Sequence, residues 1–106
     1  MLELTQSIDG IDRGFYRLEH SFSGASEAIR IPAGPVFLSA SIHPASGTAR
    51  VEYTVSTLAA VQAGTARWLP WDLGDVVASK ADALISAVTA IRGVASSSAV
   101  IEVCAR

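Results

Sequence analysis

Apolar and polar residues alternate with period two along much of this chain, the pattern of strands with one buried face. Leu38, Ala40 and Ile42, preceded in phase by Val36, alternate with Phe37, Ser39, Ser41 and His43. Ala49, Val51, Tyr53 and Val55 share one face of the next run, and Arg50, Glu52, Thr54 and Ser56 share the other. Ala99, Ile101 and Val103 alternate with Val100, Glu102 and Cys104 in a last strand reaching Ala105. An aromatic-rich run, Phe15 to Phe22, and the short run Ala28–Ile31 read as further strands. Gly-Thr-Ala-Arg occurs twice, at residues 47–50 and 64–67, and each copy leads from a glycine turn into β-type sequence. Leu58–Ala63 connects the two, with room for one helical turn.

Residues 79–93 carry two conflicting patterns. Ala81, Leu84, Ile85, Val88 and Ile91 follow helical spacing, with Ser79 as a candidate N-cap and Gly93 as a stop. Ala87–Val94 equally reads as a strand leading to a turn at Ser96-Ser97-Ser98. A strand from about Ala87 is favoured, because a terminal hairpin would give the last strand a neighbour. The expectation is an all-β fold, an antiparallel β-sandwich or jelly-roll-like barrel, with at most one short helix at about residues 79–86. Residues 1–14 form an N-terminal arm or edge strand, and residues 15–106 form one domain.

Composition changes this picture in one respect. The chain has 106 residues, half of them hydrophobic and 17% charged, which excludes disorder and leaves room for one domain. Much of the apolar content is alanine, so the core is thin, and an oligomer interface is an expected supplement. A net charge of −2 with scattered arginines gives no electrostatic reason for nucleic-acid binding. No apolar run is long enough for a membrane helix, and acidic residues interrupt the first segment where a secretory signal would lie. The single cysteine, Cys104, excludes an internal disulfide.

Candidate chemistry is sparse. His20 and His43 are the only histidines and lack metal-ligand spacing. Asp9 and Asp12 resemble a fragment of a calcium loop without its closing Glu. Trp68 and Trp71, with Asp72, could stack on a sugar or enter a partner's pocket. The alternative makes Trp68 a core residue and Trp71 a cover for the end of the sandwich. No nucleophile elbow, Walker loop or dinucleotide fingerprint occurs, so no catalytic residue, cofactor or metal is expected. Arg50, Glu52, Arg67 and Glu102 lie on the outward register and are candidates for interstrand or intersubunit pairing.

From Ala40 onward the chain resembles small β-sandwich structural proteins of tailed bacteriophages. The resemblance rests on Gly47–Thr54, on Ala63–Trp68 with Trp71 and Gly74, on Ala87–Arg92, and on Ala99–Val103. The chain departs from that pattern at Gly93 and in the helix-like stretch Ser79–Leu84. The resemblance implies a non-enzymatic virion component, foremost a capsid decoration or cement protein. It would be made in the bacterial cytoplasm and bind the major capsid protein or other virion proteins. It also implies a homo-oligomer, a trimer among the options. The competing implication is a carbohydrate- or receptor-binding module of a fibre or tail.

Overall fold

The computed structural model describes residues 1–6, 15–34, 37–84 and 87–106. The described residues form one sheet, a nearly closed barrel, with a single six-residue helix. The all-β expectation therefore holds. In chain order the elements are β1 (Leu2–Glu3), β2 (Thr5–Gln6), β3 (Tyr16–Ala25), β4 (Ile29–Arg30), β5 (Leu38–Pro44), β6 (Ala49–Thr54), α1 (Leu58–Ala63), β7 (Leu69–Pro70), β8 (Lys80–Leu84) and β9 (Ala90–Ala105).

β9 is the spine. Its C-terminal half lies between β3 and β5, with Val103 opposite both Leu18 and Ala40. Its N-terminal half lies between β4 and β6, with Ile91 opposite both Ile29 and Tyr53. The β3 ladder jumps from Ser23 opposite Ser98 to Ala25 opposite Val94, so two extra residues of β9 are accommodated at Ser96-Ser97-Ser98. Those serines are exposed at this irregularity and remain within the strand, not in a hairpin turn. All ladders are antiparallel except β1 with β4, which is parallel. β8 adds to β5, β7 to β6 and β2 to β3.

The helix expected at about residues 79–86 is not where the chain coils. Lys80–Leu84 is a strand on β5, and the helix is Leu58–Ala63. The reason is local. Thr57 caps the helix by accepting from the Ala60 N–H, and Gly64 ends it at φ 77°, its N–H shared between the Ala60 and Val61 carbonyls. In Lys80–Leu84 the apolar spacing fits either element, and β5 offers a full ladder. The second Gly-Thr-Ala-Arg thus begins at a helix cap. The first begins in the loop between β5 and β6, where Gly47 has φ 67° and a Cβ would strike the Ser96 hydroxyl. No atom would obstruct a Cβ at Gly64, so Gly64→Ala tests backbone conformation alone. It is expected to lower unfolding stability by about 1 kcal/mol. An unchanged urea midpoint would remove the αL requirement.

The core is built from Ile29, Ile42, Ile91 and Ile101, which are fully buried, with Leu38, Val51, Val76, Trp71 and Val103 around them. Six alanines are also buried: Ala40, Ala49, Ala90, Ala95, Ala99 and Ala105. The alternation in β5 and the last half of β9 therefore points inward as the sequence requires. β6 differs: Glu52 and Thr54, on its outward register, are buried as well. Chain from Ser56 to Trp71 runs back over that side, and the Thr54 hydroxyl donates to the Arg67 carbonyl at 2.7 Å. Val36, Ile85, Asp9 and Asp12 lie outside the described residues, as does the rest of the 7–14 segment.

Candidate functional site

The strongest side-chain constellation is centred on Glu52. Glu52 and Arg92 are direct partners in the β6–β9 ladder, and Arg50 lies two residues away on the same face of β6. One Glu52 oxygen, Oε1, receives Arg92 Nε at 2.8 Å and Nη2 at 2.7 Å. The other, Oε2, receives Arg50 Nε at 2.8 Å. Arg50 reaches on to Asp75 Oδ1 at 3.2 Å. Arg92 in turn sits over the Trp68 ring, 4.4 Å from its centre. The Glu52 side chain is 8% exposed. Burial pushes its carboxyl up, but the hydrogen bonds and charges of Arg50 and Arg92 outweigh this and hold it below the ordinary glutamate range. The same bonds from Glu52 and Asp75 raise the Arg50 guanidinium further. This arrangement staples β6 to β9 and fixes the outer chain at Trp68 and Asp75. Its chemistry is structural, because every charged group faces an opposite one.

Arg92 carries no signal in the alternation pattern beyond its outward position, and its role depends on a residue 40 positions away. The two tryptophans exchange the expected places of core and cover. Trp71 is the core residue, 4% exposed, its backbone N–H donating to the Val51 carbonyl at 3.0 Å. Its indole N–H has no partner among the described residues. Trp68 is half-buried with Arg92 on one face. Asp72 is exposed in the turn that Gly74 closes on the Trp71 carbonyl. Arg67 is exposed and anchors the outer chain through its backbone, its N–H donating to the Ser56 hydroxyl at 3.1 Å. Thus Trp68, Arg50 and Glu52 come together, whereas Glu102 lies elsewhere, on the C-terminal half of β9.

Glu102 belongs to a second group that spacing did not reveal. It accepts from His43 Nε2 at 2.8 Å, which fixes Nδ1 as the acceptor of the Ser79 hydroxyl at 2.9 Å when the ring is neutral. The Ser41 hydroxyl also lies 2.8 Å from Nε2. A serine, an imidazole and a carboxylate in line have the order of a nucleophilic triad, but in such sites the carboxylate is buried. Here the Glu102 side chain is 53% exposed and the pair is screened by water. The group acts as a tether that ties the approach to β8 across β5 to β9. It borders a cavity of about 410 Å³ on the outer face of β3, β9 and β5, lined by Arg17, Glu19, Ser39, Ser41, Glu102 and Cys104 among others. Among the described residues no group of three or more His, Cys, Asp or Glu is placed to hold a metal ion, and no helix is long and apolar enough to cross a membrane.

The sheet edge outside β6 is of another kind. Chain 69–76 runs antiparallel to β6, with Leu69 opposite Tyr53 and Val76 bridged to Ala49. Along this stretch and at its two ends, Leu69, Leu73, Val77 and Val55 are exposed, Val77 by 77% and Val55 by 69%. Charged side chains of Arg50, Asp72 and Asp75 lie among them in sequence and register.

Comparison with protein-family models, with curated proteins and with solved structures gave no match to this chain.

Proposed function

We propose that this chain is a non-enzymatic structural protein that docks on a protein lattice through the edge segment 69–77, in the manner of a capsid decoration or cement protein of a tailed bacteriophage. The observation that carries the reading is the succession of exposed apolar side chains, Leu69, Leu73 and Val77, along one edge segment of the barrel. Apolar side chains rimmed by charge are what a partner surface covers. The resemblance to phage structural proteins carried by Gly47–Thr54, Ala63–Trp68 with Trp71 and Gly74, Ala87–Arg92 and Ala99–Val103 supports a virion context. Repetition of the partner site on a symmetric shell would make a modest contact sufficient through multivalency. The reading of the same segment as a sugar-binding module has less support. Trp71 offers no open ring face, and Arg92 occupies one face of Trp68.

The test is co-sedimentation with capsids assembled from the major capsid protein encoded in the same genome. The expected result is saturable binding at a fixed ratio to capsid subunits. The triple variant Leu69→Ser, Leu73→Ser, Val77→Ser should reduce binding at least about tenfold while its circular dichroism is unchanged. Failure of the unaltered protein to pellet, or equal binding by the folded triple variant, would overturn the proposal.

A further inference from the structure

Among the described residues β8 (Lys80–Leu84) pairs only with β5, and none of their strands lies on its other edge. Which backbone groups face that edge follows from the ladder. Phe37 and Arg106 exchange both main-chain hydrogen bonds, at 2.9 and 3.0 Å. By alternation Ser39 and Ser41 also turn their groups toward β9, and Leu38, Ala40 and Ile42 turn theirs toward β8. Their partners Leu84, Asp82 and Lys80 are therefore bonded inward. The N–H and C=O of Ala81 and Ala83 are left at that other edge. The Ala83 N–H is held locally by Asp82 Oδ1 at 2.8 Å, a stand-in for a missing strand.

The side chains make this edge selective. Ala81 and Ala83 lie on the outer register, opposite Ser41 and Ser39, and both are small and exposed. Lys80 and Asp82 lie on the other register, opposite Ile42 and Ala40, with Lys80 exposed and Asp82 half-buried. Charges that alternate along an edge strand penalise most added strands, because a foreign strand would set like charges or apolar side chains directly opposite them.

One added strand escapes that penalty, a second copy of β8. We propose that two copies of this chain join edge to edge through β8, antiparallel about a twofold axis at Ala81. Ala81 then faces the partner's Ala81 as a hydrogen-bonded pair, consistent with the direction of its free groups. Lys80 faces the partner's Asp82, and Asp82 the partner's Lys80, as non-hydrogen-bonded pairs, where side chains come closest. Sliding one strand by two residues either way keeps the backbone pattern but sets Asp82 against Asp82 or Lys80 against Lys80. The charges thus choose one register among those the backbone permits. The contact is isologous, so it closes at two copies and does not propagate into a fibre. It uses a different edge from the docking segment 69–77 and stands independently of it.

The test is sedimentation velocity of the isolated chain across the micromolar range, without capsids. The unaltered protein should show a concentration-dependent dimer. Lys80→Asp and Asp82→Lys should each weaken it by about tenfold or more, since two attractive pairs become repulsive. An equimolar mixture of the two variants should form heterodimers, because each supplies the charge the other lacks. The double variant Lys80→Asp/Asp82→Lys should dimerise again. If either charge variant fails to fold, Ala83→Pro takes its place, removing an edge donor that β5 does not use, and should likewise dissociate the dimer. A monomer at all concentrations, a dimer indifferent to these changes, or folded variants whose mixture stays monomeric would overturn the proposal.

Discussion

Replacing Glu52 with alanine is expected to lower unfolding stability by about 2–3 kcal/mol, measured by urea denaturation at neutral pH. Glu52 is the acceptor for both Arg50 and Arg92, so its loss leaves two guanidinium groups side by side. Asp75 still holds Arg50, but Arg92 keeps only the face of Trp68. Both arginines are about one-third exposed or less and can turn partly to water, which keeps the cost below that of a fully buried broken pair. Glu52→Gln keeps the shape and removes the charge, and should cost less than alanine. The pH dependence has a definite sign. The folded carboxyl lies below its ordinary value of 4.5, so its stabilisation is complete above that value and is lost as pH falls toward and through the folded one. The unaltered protein should therefore lose stability more steeply than Glu52→Gln at pH values below about 4.5. Parallel acid profiles, or an unchanged midpoint for the alanine variant, would show that Glu52 does not staple the two strands.

Gly93→Val should be of similar weight, lowering stability by about 2–3 kcal/mol. Gly93 is buried on the inner side of β9, where the Phe22 ring reaches over from β3, and a Cβ there would clash with the Cζ end of that ring. Both of its main-chain polar groups are also engaged by Ser26. The Gly93 carbonyl accepts from the Ser26 N–H at 2.8 Å, and its N–H donates to the Ser26 hydroxyl at 2.9 Å. The residue cannot slide away from the clash without breaking a buried hydrogen-bonded pair. Gly93→Ala should cost about half as much as valine, and Phe22→Leu placed in the Gly93→Ala background should recover part of the loss. A valine variant as stable as the unaltered protein would show that Phe22 moves aside freely.

Gly93 also shows where the sequence is legible and where it is not. Period-two alternation located β5, β6 and the end of β9, because a buried face leaves the same mark wherever the partner strand lies. At Gly93 the alternation is interrupted by a contact with Phe22, 71 residues earlier, which no local window contains. The same limit explains Lys80–Leu84. Its apolar residues suit a helix or a strand, and the free ladder of β5 decides. It explains Ser96-Ser97-Ser98 too: three serines resemble a turn, yet they accommodate two extra residues within a continuous strand. On the surface, the outward position of Arg50 and Glu52 was readable. Their burial was not, because it requires Arg92 from β9 and the returning chain at Trp68. His43 could be placed at a strand end, but its line to Ser79 and Glu102 needs three strands laid side by side.

The position of β9 at the centre of the sheet has a temporal meaning. β3, β4, β5 and β6 all hydrogen-bond to it, and β9 follows every one of them in the chain. During synthesis those four strands leave the ribosome before their common neighbour exists. Hairpin contacts such as β6 with β7 can form early, but the barrel cannot close until the last strand arrives and pairs across long sequence separations. Its apolar faces stay open throughout that delay. A chain of this topology is therefore expected to fold only once β9 has been made, slowly for its size, and to be most prone to aggregation in the interval before β9 docks.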